Sequence, residues 1–122
     1  MDDREQAQIL GLVRLVAGLA TFLMPRTVAK LWLGDRADSS VARVALRGVG
    51  VRDAAIGTGL LLALEDGGKQ ARPWLQAGAL VDAADSWNVL VDGEMPLLRR
   101  LISAGATGAF AWWGLMVSER VD

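Results

Sequence analysis

Residues 44–64 read VALRGVGVRDAAIGTGLLLAL, an apolar run interrupted by Arg47, Arg52 and Asp53. The run is rich in Leu, Ala and Gly, and its β-branched residues are scattered, so it reads as a helix and not as a strand. At 1.5 Å per residue it extends about 32 Å, close to the roughly 30 Å hydrocarbon layer of a bilayer. Its charges sit where lipid would surround an isolated helix. How those charges are accommodated decides what kind of fold this is.

Three more apolar stretches flank it. Ile9 to Met24 carries one charge, Arg14, and ends at Pro25-Arg26. Trp74 to Val91 follows Pro73 and contains Asp82 and Asp85. Leu97 to Val117 follows Pro96 and holds Arg99 and Arg100 in its first turn. Pro suits the first turn of a helix, where its missing N–H leaves no bond unmade. Ser39-Ser40 offers an N-cap for the second stretch. The connectors at 65–70 and 92–94 are polar and contain Gly, as turns do. Between Thr27 and Leu33 a short mixed segment predicts a surface helix, stopped by Gly34-Asp35. The expectation is one all-α domain over residues 1–122, a four-transmembrane-helix bundle. Its spans fall at about 9–24, 44–64, 74–91 and 97–117, with a short interfacial helix after the first.

Composition narrows the chemistry. The 122 residues hold 13 Lys+Arg and 14 Asp+Glu, a net charge of -1, which argues against nucleic acid as a partner. There is no Cys, His or Tyr, so a disulfide, a thiolate metal site, a cysteine nucleophile and a Ser-His-Asp triad are excluded. No metal site and no cofactor is implied. All but Lys30 and Lys69 of the basic residues are Arg, the better buried partner for a carboxylate. The opening Met1-Asp2-Asp3-Arg4-Glu5 is acidic where a secretory signal is basic, so the first stretch is expected to remain in the mature chain.

The bilayer is the expected surroundings, for two reasons. Small residues are dense in the apolar runs (Gly11, Gly18, Gly48, Gly50, Gly57, Gly59, Gly105, Gly108). In water each interior Gly costs a helix up to about 1 kcal/mol against Ala. In lipid, small residues let helices approach closely. Four of the five Trp (Trp32, Trp74, Trp112, Trp113) fall at or near helix ends, where an aromatic belt sits. Against this stands charge. An Arg or Asp at the helix centre costs about 2.5–3.5 kcal/mol on insertion, so the second and third spans are marginal alone and need their neighbours. The loops at 26–43 and 92–100 hold six basic residues against four on the other side, which leans toward external termini.

Asp82, Asp85 and Ser86 share one helical face by their spacing. Adjacent Arg52 and Asp53 diverge by about 100° and meet different neighbours. Arg14 with Ala17, Gly18 and Thr21 makes a stripe on the first span, and Arg100, Ser103 and Thr107 make one on the fourth. All four helices thus present a polar line toward a common interior. The candidate site is a buried charge network or ligand/ion site of Arg14, Arg47, Arg52, Asp53, Asp82, Asp85 and Ser86. Trp87 and Asn88 are expected to pack inside, and Arg99 and Arg100 to snorkel to headgroups.

The segments Val13-Arg14-Leu15-Val16-Ala17-Gly18, Met24-Pro25, Arg47-Gly48-Val49-Gly50-Val51-Arg52-Asp53-Ala54-Ala55-Ile56-Gly57 and Val81-Asp82-Ala83-Ala84-Asp85 resemble small uncharacterised four-helix membrane proteins of actinobacteria. These are loosely similar to DoxX-type families. The resemblance implies a membrane location and a four-helix bundle, and no activity. The expected role is a non-enzymatic accessory or scaffold subunit of a membrane assembly. The expected partners are the lipid bilayer and other membrane subunits or further copies of the chain. The alternative is a small proton- or ion-coupled transporter using its intramembrane Asp residues. A lipid- or quinone-directed enzyme and a soluble helical oligomer rank below both.

Overall fold

The computed structural model describes residues 1–34 and 39–121. The Gly34-Asp35 stop is described only as far as Gly34, and the loop charge Arg36 lies outside the described residues. The fold is all-α, with no strand among the described residues. The helices are α1 (Asp3–Leu23), α2 (Pro25–Trp32), α3 (Ser40–Glu65), α4 (Ala71–Leu90) and α5 (Leu97–Arg120). The four long helices correspond to the four apolar stretches and α2 to the predicted short one. Each long helix outruns its apolar stretch at one end or both; for α1 and α3 a side-chain cap sets the start.

The acidic N-terminus illustrates this. Asp2 accepts the Glu5 N–H at 2.8 Å while the Asp2 N–H donates to Glu5 at 3.2 Å. This reciprocal capping box starts α1 six residues before Ile9. Ser39 Oγ accepts the Ala42 N–H at 3.1 Å and starts α3. Gly34, Gly67 and Gly68 turn the chain with φ near +95°, +90° and +83°, a region that a side chain rarely tolerates.

The long helices form two antiparallel pairs, α1 with α3 and α4 with α5. Glycine sets the first pair. A Cβ at Gly18 would lie 2.6 Å from the Gly50 carbonyl oxygen, and one at Gly50 would lie 2.6 Å from that of Gly18. One turn-pair further on, a Cβ at Gly57 would lie 2.7 Å from the Gly11 oxygen. The seven-residue spacing on both helices therefore brings two backbones together at two crossings, with Arg14 between them. At Gly59 the space is filled by the Trp74 ring instead.

The second pair is tied by side chain-to-backbone bonds. Ser86 Oγ donates to the Ala104 oxygen at 2.8 Å, and Arg72 Nε donates to the Ser118 oxygen at 2.8 Å. At the end holding both termini the pairs share an apolar core that includes Leu10, Leu60, Leu64, Leu75 and Val117. At the other end Ser103 Oγ donates to the Trp32 oxygen, and Arg99 donates to the Leu31 oxygen at 2.9 Å. Arg99 is thus an α2 C-cap and not a free interfacial cation.

The outer surface of the bundle is apolar through its middle. Leu12, Val16 and Leu19 on α1, Val51 on α3, Leu80 and Trp87 on α4, and Leu101, Ile102 and Trp112 on α5 are all exposed. Contrary to the expectation from the sequence, Trp87 does not pack inside; it is 65% exposed. Asn88 is exposed as well. Among the described residues, two helices are long and apolar enough to cross a membrane by their own composition, α1 and α5. In α3 and α4 the midhelix charges lower the average.

The glycine crossings make a graded prediction. Gly50→Ala drives a methyl into two backbone atoms and should lower the melting temperature in detergent by many degrees. Gly48→Ala meets open space and should leave it unchanged or slightly raised. Equal effects of the two substitutions would remove the close-approach account.

Candidate functional site

Near the middle of the bundle the two helix pairs meet through charged side chains. Arg14 on α1 grips Asp82 on α4 with both terminal nitrogens: Nη2 donates to Oδ2, and Nη1 donates to Oδ1 at 3.2 Å. Arg52 on α3 grips Asp85 on α4 in the same manner, Nη2 to Oδ2 at 2.7 Å and Nη1 to Oδ1 at 3.2 Å. Two-pronged pairing of this kind matches the planar guanidinium to the planar carboxylate.

Asp53 joins the two forks. Its Oδ1 accepts from Arg14 Nη1 at 3.2 Å and from Arg52 Nε and Nη2 at 3.3 Å each. The five side chains form one line, Asp82–Arg14–Asp53–Arg52–Asp85. Arg14 and the three carboxylates are 11–18% exposed, and Arg52 is 30% exposed. The line holds three carboxylates against two guanidiniums, and the two forks are each internally balanced. Asp53 is the unmatched charge.

Local structure places each member. Asp82 and Asp85 lie three residues apart on α4, so both face the α1/α3 pair. Arg52 and Asp53 diverge around α3, which lets Asp53 reach toward α1 while Arg52 reaches α4. Arg14 sits between the two glycine crossings, where the α1 and α3 backbones are closest, and its guanidinium extends past α3 to α4.

Two of the seven singled-out residues stand apart. Arg47 is exposed on α3, because five residues from Arg52 is about 500° of rotation, which turns it roughly 140° away from Arg52 around the helix. Ser86 is one position beyond Asp85 and turns to α5, where it bonds the Ala104 carbonyl. The polar stripe on α5 also does not reach the common interior. Arg100 bonds the Asp92 oxygen, Ser103 bonds Trp32, and Thr107 bonds back to the Ser103 oxygen in its own helix. Charges from α1, α3 and α4 meet; α5 contributes none.

One member was not singled out from the sequence. A Cβ at Gly78 would lie 3.0–3.1 Å from the Arg14 guanidinium, so Gly78 provides the flat surface on which that group rests. The signal was available: Gly78 is four residues before Asp82, on the same α4 face. A cleft of about 120 Å³ opens onto this part of the line, with Arg14, Asp53 and Asp82 as its polar lining and Leu10, Val13, Ala17 and Phe110 as its apolar walls. Among the described residues no cluster of acidic side chains is arranged to hold a metal ion.

No family model, curated protein or solved structure matches the chain.

The network predicts an order of damage. Arg14→Gln leaves three carboxylates facing one guanidinium and should cost about 3–5 kcal/mol, the range for a broken buried pair. Asp82→Asn leaves Arg14 an amide oxygen and the Asp53 carboxylate as acceptors and should cost less. Asp53→Asn preserves both forks and should be the mildest. Denaturant or thermal unfolding in detergent reads the order; Asp53→Asn being the most damaging would refute the fork-and-bridge arrangement.

Proposed function

We propose that the chain is a four-span integral membrane protein acting as a non-enzymatic accessory or scaffold subunit of a membrane assembly. One observation carries the membrane reading: the bundle is apolar outside and charged inside. Through the middle of each long helix the exposed positions are aliphatic, aromatic or small, and the ionisable groups there turn inward onto one another. In water this arrangement would expose apolar surface and bury charge, both unfavourable. In lipid both are satisfied. The helix lengths, from about 30 to 39 Å at 1.5 Å per residue, suit a bilayer.

The subunit reading rests on what the outer faces offer. Gly48 and Gly105 are exposed, with empty space where a Cβ would sit. In lipid such positions admit a helix from another subunit or from a second copy. The likeness to small actinobacterial membrane proteins belongs to the same reading.

A second reading, a small proton- or ion-coupled transporter, is favoured by Asp53. It is the carboxylate in excess, and it borders the cleft. The net negative charge of the line is costly at that depth, and a proton or cation taken up at Asp53 would cancel it.

Alkaline carbonate washing of membranes tests the first reading: the protein should stay in the pellet, and release into the supernatant would contradict it. Gentle-detergent purification should recover either a second protein or a homo-oligomer, and a monomer at all loadings would remove the subunit role. For the transporter reading, Asp53→Asn should abolish proton or cation flux in liposomes while the protein still assembles. Wild-type flux in that variant would eliminate it.

A further inference from the structure

At the end of the bundle away from both chain termini, α1 stops, α2 starts and α3 begins. A cavity of about 330 Å³ lies there, lined by Arg26, Thr27, Arg43 and Arg47 together with Leu23, Met24 and Pro25. Three guanidiniums and one hydroxyl, from the α1–α2 junction and from α3, share a single cavity. We propose that this is a binding site for a phosphate-bearing anion, with the headgroup of an anionic lipid as the ligand it suits best.

Depth supports this. With Arg14 near the bilayer midplane, the ten residues to Met24 place the cavity about 15 Å along the helix, half the hydrocarbon thickness. That is the edge of the hydrocarbon layer, within reach of an arginine side chain extending to the lipid phosphates. Counting back from Arg52 along α3 gives about 14 Å to Arg43. Arg47 lies deeper, and its long side chain extends outward to the same level.

Composition agrees. Leu23 and Met24, which line the cavity, and neighbouring Phe22 and Val44 are exposed, so the apolar side of the site is continuous with the surface that acyl chains would cover. Guanidiniums pair with phosphate oxygens through two-pronged bonds. Residues 24–47 hold five basic residues (Arg26, Lys30, Arg36, Arg43, Arg47) against two acidic ones (Asp35, Asp38), so the segment keeps a positive excess. The first turn of α2 supplies Pro25, Arg26 and Thr27 to the lining with no side-chain cap on that helix end, and the positive end of a helix favours an anion. None of these residues belongs to the Arg14–Asp82 line.

Only the lipid source of the phosphate rests on the four-span reading. The test uses the full-length chain purified in mild detergent, with phosphatidylglycerol, phosphatidylcholine and inorganic phosphate as probes and native mass spectrometry as readout. Wild type should retain phosphatidylglycerol at least tenfold over phosphatidylcholine. Arg43→Gln/Arg47→Gln should reduce that preference to under twofold, while Lys69→Gln/Arg120→Gln, which removes the same charge at the other end, should keep it. If the double variant at the cavity loses its helical circular dichroism, Arg47→Gln alone should reduce the preference about threefold. Displacement of lipid by millimolar phosphate would identify the free anion as the ligand; retention would identify the headgroup. Equal retention of both lipids by wild type, or equal loss in the two double variants, would overturn the site. Recovery of the chain in a detergent-free soluble fraction would overturn the four-span reading instead, and the inorganic phosphate arm would still report on the cavity.

Discussion

Asp82 and Asp85 hold the two halves of this protein together. Each is gripped by an arginine from the opposite helix pair, Arg14 from α1 and Arg52 from α3. Within each pair other contacts carry the packing: glycine crossings join α1 to α3, which the Arg14–Asp53 pair also links, and hydroxyl and guanidinium bonds to backbone carbonyls join α4 to α5. Between the pairs, α3 touches α4 more lightly. There the apolar core at one end and the ion-paired line in the middle do the joining. In a bilayer, where lipid tails are as apolar as leucine, the charged line supplies attraction that apolar contact alone does not.

This dependence explains the distribution of charge along the chain. α1 and α5 are apolar enough to cross a membrane by their own composition. α3 and α4 carry the charges, and each neutralises charge on the other. A helix with Arg52 and Asp53 at its centre is poorly placed in lipid alone, and so is one with Asp82 and Asp85. Brought together, with Arg14 completing the set, they leave a single unmatched carboxylate, Asp53. Structure and chemistry thus meet in one residue, which bridges the two forks and borders a cleft.

Much of the fold was legible in the sequence because it rests on features with a short reach. Apolar run length gave the four long helices, and Pro and Gly punctuated them. The inward set of Arg14, Arg52, Asp53, Asp82 and Asp85 could be read because each is a charge in an apolar run with no other place to go. Arg47 and Ser86 could not be separated from that set by type. Their exclusion depends on angular position around α3 and α4, and one residue changes that by about 100°. The role of Ser103 as a partner for Trp32, and that of Arg99 as a cap on α2, depend on where α2 folds back, which no local pattern encodes. Gly78 was passed over for a similar reason: a glycine signals close approach but not what approaches.

The central claim is that lipid, not water, covers the outer face while the charges are held inside. The absence of cysteine makes it directly measurable, since every introduced thiol is unique. Single cysteines at Ala55 and Leu80, both exposed on the fold, and at Lys69 and Gly93 in the connectors would be reacted in native membranes with a water-soluble maleimide, after opening both faces of the vesicles. The account predicts rapid labelling at positions 69 and 93 and strong protection at 55 and 80, because maleimide chemistry needs a water-exposed thiolate. Labelling at 55 and 80 as fast as in the connectors would contradict it.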